Sequence, residues 1–359
     1  MSRMSKSYER FTWLLEHFQD QGCFAQASFA VFDRQGVRAR GDCGGAGLEA
    51  VFDLASLTKV FVTTALLRLT AQGRLDLNAP VLPLLDVPEK SVRLRRVLAQ
   101  ATAASLLTHT AGLPAWYPLY AGTGSFWERL EQAIEFEGEG GRPPMVYSDL
   151  GYMLAGRLLE QLSGLSLPDA VEEYVRRPLG IPVLAYLPPG ADRRQLLGGR
   201  PLVVSCYGNT IEREMCRERG ISFDGFRPEG QPVEGQANDG NAWYYFGGIS
   251  GHAGLFSNAA GVAELGRFYL NTQEAPFLRA LEEGPWGRGL GFEFGPRYPQ
   301  GCGHTGFTGT SLFLSRERGV GGVLLTNRLT SPGREAKNVD PCRIAFHEAI
   351  LAADEEGWL

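Results

Sequence analysis

A serine and a lysine three residues apart, Ser56 and Lys59, open an apolar stretch that runs to Leu69 and closes at Gly73. On a helix this spacing puts both side chains on one face, which pairs a hydroxyl nucleophile with an amine that can take its proton. A serine hydroxyl is a weak nucleophile until a neighbour removes that proton, and lysine does so only when neutral. Burial and a helix N-terminus both disfavour the ammonium. Only four of the 35 basic residues are lysines, at 6, 59, 90 and 337. A chain that otherwise uses arginine keeps at 59 the basic side chain that can lose its charge. The bland alternative for this motif alone is a buried helix that happens to contain both residues.

The elements that must hold this pair are legible on either side of it. Apolar residues at 57, 60, 61, 62, 65, 66, 67 and 69 cover nearly the whole circumference of the helix, the pattern of one enclosed by protein. Gly73 suits the left-handed position past its end, and Asp53 reads as its cap and not as an acid in a mechanism. Residues 7–20 carry Phe11, Leu14, Leu15 and Phe18 on one stripe, a helix that lies against a sheet. Period-two alternation around Ala27, Phe29 and Val31, a turn at 33–36 and a return at 37–39 predict an antiparallel hairpin. Helical segments follow at 92–107, 126–136 and 149–163. The stretch 187–240, dense in Gly, Pro and charge, is expected to be a long connecting loop lining a cleft. A helix at 259–271, strands at 289–294, 308–314 and 320–326 with a turn at 315–319, and a closing helix at 340–353 complete the chain. The expected fold is α+β: an antiparallel sheet flanked by helices, from 1–75 and 245–359, with a mostly helical lobe inserted at 76–244. A cleft between two such lobes is a usual place for a small-molecule site.

At 359 residues, with 44% hydrophobic and 21% charged residues, the chain is an ordinary globular protein with room for a large core. Its net charge of −5 contains no acidic or basic block, so neither nucleic acid nor a membrane surface is an expected partner. The apolar run 11–15 is too short for a signal peptide, no run is long enough to span a bilayer, and a cytoplasmic location is expected. Six cysteines without zinc spacing point to reduced, buried thiols, and no metal or cofactor is expected. His109 and His252 are read as loop residues bonded to backbone, His17 and His347 as boundary residues on helices. The aromatic run 243–246 serves either cleft lining or core packing.

Two further short motifs complete a constellation: Tyr147-Ser148-Asp149, and His304-Thr305-Gly306-Phe307 on a strand entering the last hairpin. Together with FDLASLTKVFVTTALLRL, LLTHTAGLP at 106–114, YSDLGYMLAGRLLEQLSG at 147–164, GISGHAGLFSNAAGVAELGRF at 248–268 and HTGFTGTSLFL, they span nearly the whole chain. In these stretches the sequence resembles the serine beta-lactamase and penicillin-binding-protein-like superfamily, especially its class C beta-lactamase, D-Ala-D-Ala carboxypeptidase and esterase branch. The resemblance implies a beta-lactamase/transpeptidase-like fold. It implies that Ser56 is the acylated nucleophile, that Lys59 and Tyr147 shuttle its proton, and that the Ser56 and Phe307 amides form an oxyanion hole. Asp149, His304, Thr305 and Gly306 would face the substrate.

Two departures from the superfamily pattern matter. Asp149 stands where much of it has Asn, and at about 4 Å such an anion attracts a lysine by about 4 kcal/mol before desolvation, enough to hold it charged. More of the proton transfer then falls to Tyr147. His304 replaces a common lysine, so a titratable cation that fades above about pH 6.5 is expected there. The expected activity is that of a cytoplasmic esterase or amidase acting on a small ester, amide or short peptide. A D-Ala-D-Ala carboxypeptidase or weak beta-lactamase is the alternative within enzymes, and a binding module without turnover the alternative outside them.

Overall fold

The computed structural model describes residues 3–138, 143–330 and 337–359. Strands β1 (Ala27–Asp33) and β2 (Val37–Cys43) form the hairpin, closed by Asp33, whose Oδ1 accepts the amides of Gln35 and Gly36 at 2.8 and 2.9 Å. Five short strands follow: β3 (Phe52–Asp53), β4 (Leu184–Tyr186), β5 (Cys206–Tyr207), β6 (Pro232–Val233) and β7 (Leu255–Ser257). The chain ends with β8 (Cys302–Thr305), β9 (Ser311–Ser315) and β10 (Val320–Thr326). The main sheet is antiparallel with order β2-β1-β10-β9-β8, so Ala27 faces Thr326 and His304 faces Leu312. Its central strands therefore come from opposite ends of the chain.

β1 and β10 are buried along nearly their whole length because helices cover both faces. On one side the helices Arg3–Asp20 and Asp340–Glu355 pack through Phe11, Phe29 and Phe346, with ring centroids 5.5 to 5.9 Å apart. On the other lies the helix Ala259–Asn271, where a Cβ at Gly266 would strike the Phe32 ring. The helix Thr58–Ala71 packs against the helix Asp149–Ser163, and residues 57–67 are all buried, as a circumference without a polar stripe demands. Its buried hydroxyls are satisfied: Thr63 meets Tyr152 Oη at 3.1 Å and Thr64 donates to the Val60 carbonyl at 2.7 Å.

Three expectations are corrected. The stretch 187–240 is not one loop; it holds the helices Arg193–Leu197 and Thr210–Glu218 and strands β5 and β6. Thr210–Glu218 carries its apolar residues Ile211, Met215 and Cys216 at helical spacing, but a stripe in a helix of 9 residues is lost among its Gly-, Pro- and charge-rich neighbours. The run 289–294 forms only isolated bridges, because positive φ at Gly291 interrupts extended backbone. His347 is a core residue, fully buried, stacked on Tyr298 and Phe313 and bonded to Ser311 and the Arg297 carbonyl. All six cysteines are buried free thiols, and among the described residues no helix is long and apolar enough to cross a membrane.

Candidate active site

β3 delivers the chain to Ser56 by pairing Phe52 and Asp53 with Ser257 and Phe256. The turn that follows is strained. Ala55 takes φ +46°, a left-handed value that costs a residue bearing a Cβ about 1–3 kcal/mol. Asp53 secures it. Its Oδ1 accepts the Ala55 amide at 2.8 Å, its Oδ2 accepts the Asn238 amide at 2.6 Å, and its carbonyl accepts the Thr308 hydroxyl at 2.8 Å. The side chain thus does not cap the helix Thr58–Ala71, as its position suggests; it holds the turn that presents Ser56. Burial pushes its carboxyl up to about 6, against the pull of the two amides. Asp53→Ala is expected to lower kcat about tenfold or more with little change in KM, since the strained turn relaxes. Leaving two buried amides unsatisfied should also cost roughly 1–3 kcal/mol each, and steady-state kinetics beside chemical denaturation check both effects.

Lys59 is fully buried. Its Nζ donates to Ser56 Oγ at 2.8 Å and to the His252 carbonyl at 3.1 Å, and forms an ion pair with Asp149 Oδ1 at 2.8 Å. The Tyr147 ring centre lies 5.0 Å from Nζ. Burial alone would lower this ammonium's pKa, but Asp149 and Tyr147 outweigh it and hold the group above its ordinary 10.5. The His252 carbonyl is itself fixed, because its ring meets Asp239 Oδ1 and Ser250 Oγ, both at 2.8 Å.

Asp149 begins the helix Asp149–Ser163, capped by Ser148, whose Oγ accepts the Gly151 amide at 3.1 Å and donates to the Pro114 carbonyl at 2.6 Å. His109 steadies the same corner. Its Nδ1 accepts the Ser148 amide at 2.9 Å, its carbonyl accepts the Val146 amide at 3.0 Å, and its ring centroid lies 4.4 Å from that of Tyr147. Burial and the Lys59 charge keep it neutral.

Opposite stands the end of β8. Thr305, Gly306 and Phe307 line a cavity of about 770 Å³ together with Ser56, Tyr147 and Asp149. Arg343 braces this edge, its Nη2 donating to the Gly306 and Thr310 carbonyls at 2.8 and 2.9 Å. His304 is not on the cavity wall. It is 3% exposed, its Nδ1 meets the Thr305 carbonyl at 2.7 Å, and its Nε2 has no partner among the described residues. Burial, Lys59 and Arg288 hold its pKa well below 6.5. The expected titratable cation at 304 is therefore corrected: the ring stays neutral at neutral pH. The nearby cation that motif reading missed is Arg288, 5.4 Å from the Tyr147 ring centre. No local pattern marks it, nor Asp239. The aromatic run 243–246 packs instead of lining the cavity, with Tyr244 against Tyr120, Phe223 and Phe226.

The profile of the Beta-lactamase family matches residues 11–340, and the chain belongs to that family. The fold agrees with that of its penicillin-binding-protein-like members, and the family makes the protein a serine hydrolase. A Salmonella gallinarum protein provisionally named D-alanyl-D-alanine carboxypeptidase is 28% identical over 352 residues, which covers 87% of this chain and 76% of that one. The D-amino acid amidase of Ochrobactrum anthropi SV3 superposes with a TM-score of 0.70 at 17% identity, over 99% of this chain and 100% of its own. EstCE1, a hydrolase with promiscuous acyltransferase activity, does so with a TM-score of 0.66 at 19% identity, over 97% and 98%.

Proposed function

We propose that the protein is an esterase or amidase that works through an acyl-enzyme on Ser56 and takes small esters, amides or short peptides. One observation carries this reading: the Lys59 ammonium donates to Ser56 Oγ at 2.8 Å on the wall of the cavity while Asp149 holds its charge. Ser56 Oγ attacks the acyl carbon, and the negative charge on the carbonyl oxygen falls to the Ser56 and Phe307 amides, each such donor being worth roughly 10²- to 10³-fold. Lys59 stays an ammonium. Tyr147, whose ring centre lies 5.0 Å from that ammonium, relays the proton: its hydroxyl oxygen receives the Ser56 proton as its own proton passes to the leaving group. Water then attacks the acyl carbon, its proton relayed through the same hydroxyl to Ser56 Oγ, which releases the acid and restores Ser56.

In this reading a sheet lobe of 1–75 and 245–359 and a helical lobe of 76–244 meet at the cleft, and Thr305 and Gly306 border the substrate. The provisional name of the Salmonella relative favours a D-Ala-D-Ala carboxypeptidase as the second reading, with the same chemistry on a peptide. Intact mass after a fluorophosphonate, followed by peptide mapping, tests the nucleophile. One adduct on the peptide carrying Ser56 is expected, and labelling of another serine would overturn the assignment. Multiple turnovers of a p-nitrophenyl ester separate an enzyme from a module that is merely occupied.

A further inference from the structure

Ten large apolar side chains are exposed among the described residues, and three of them, Tyr207, Ile211 and Phe307, gather on the cavity that holds Ser56. They are 45%, 37% and 44% exposed. A single exposed apolar residue needs no account, but a group of them lining a cleft beside a nucleophile marks a surface built to be covered. Ile211 and Met215 lie four residues apart on one face of the helix Thr210–Glu218, directly after Tyr207 at the end of β5, and both line the cavity with Trp116.

The wall is held in place from behind. Cys216, on another face of the same helix, packs with Trp116 and Tyr120, and Tyr120 meets Phe223, Phe226 and Tyr244 at ring distances of 4.6 to 5.7 Å. The buried Arg227 donates to Asn209 Oδ1 at 3.0 Å, Gln236 Oε1 at 2.9 Å and the Ala237 carbonyl at 2.8 Å. Glu212 accepts the Tyr120 hydroxyl at 2.9 Å and the Gly240 amide at 2.8 Å. A segment pinned at this many points cannot collapse to bury its own apolar residues. They remain facing the cavity.

The geometry points to residues 206–218 as the specificity wall of this site, which takes an apolar acyl group, aromatic or branched aliphatic, on the substrate. This rests on the Ser56 acyl-enzyme reading. The leaving group must lie toward Tyr147, whose surroundings are polar and cationic through Lys59 and Arg288. The acyl group is then the part of the substrate left to meet Tyr207, Ile211 and Phe307.

The test compares kcat/KM for p-nitrophenyl acetate, isovalerate and phenylacetate, with benzyl and methyl esters of one acid as the leaving-group control. Wild type is expected to prefer phenylacetate and isovalerate over acetate by about tenfold or more, the scale of a filled apolar pocket. Tyr207→Ser and Ile211→Ser, read as the ratio to acetate within each variant, should each bring that preference severalfold closer to one. Both side chains lie outside the buried core, and thermal unfolding of each variant confirms folding. An absence of acyl preference in wild type overturns the inference without needing any variant. So does a ratio that neither substitution moves, or a preference that follows only the leaving group. Each of these leaves acetate turnover and the Ser56 adduct intact, whereas loss of both overturns the Ser56 reading and this inference together.

Discussion

Replacing Ser56 by alanine is expected to lower ester turnover by at least about a thousandfold, because removing the attacking group of a covalent mechanism removes the reaction path and not one contribution to it. The fold should hardly register the change. Ser56 is only partly buried, so its hydroxyl fills little core volume, and Lys59 keeps its ion pair with Asp149 and its bond to the His252 carbonyl. Steady-state turnover measured beside thermal unfolding separates the two. Retention of more than a few per cent of activity would mean that another group attacks.

Asp149→Asn tests the charge state on which the proposed proton transfer depends. In the wild type Asp149 and Tyr147 hold Lys59 above its ordinary 10.5 against the effect of burial. Lys59 is then an ammonium throughout the neutral range, and turnover should climb toward alkaline pH, where the neutral amine becomes available as a second base. With asparagine the attraction disappears and burial has the larger effect, so the amine becomes neutral at lower pH and can accept the Ser56 proton itself. An attraction of about 4 kcal/mol at this range corresponds to roughly three pH units at most, and desolvation reduces it. The rising limb of kcat/KM should therefore move down by about one unit or more, a gain of about tenfold near pH 7. A limb that stays in place or moves up would show that Asp149 does not set the base.

Stability carries its own sign. A lysine whose folded-state pKa lies above its unfolded value contributes stability that is fully present below about 10.5 and is lost as pH rises through the folded value. The lysine contribution to the stability of the wild type should thus stay flat from pH 6 to 9, since both its folded and unfolded values lie above that range. Denaturant titrations across that range check it.

Much of this protein was readable without coordinates because the relevant physics is local. The spacing of Ser56 and Lys59 on one helix, the unbroken apolar circumference after them, the alternation of β1 and β2 and the turn before β10 all depend on residues a few positions apart. The α+β class, with a sheet built from both ends of the chain, followed from the order of these elements. Where the signal was weak the reading failed. Thr210–Glu218 has an apolar stripe of Ile211, Met215 and Cys216 that is too short to stand out from its Gly-, Pro- and charge-rich neighbours, and 289–294 looks extended until Gly291, with positive φ, interrupts it.

What tertiary structure alone decided is the electrostatics and the orientation of the site. Asp53 and Asn238 are 185 positions apart, and Lys59 and the His252 carbonyl 193, so no window of sequence shows that the first pair holds the strained turn or that the second anchors the lysine. Residue type made His304 a plausible cation; its burial beside Lys59 and Arg288 makes it neutral. Sequence determines which groups can carry a charge. The dielectric around each group, and the charges folded against it, determine whether it does, and both arise only when distant segments pack together.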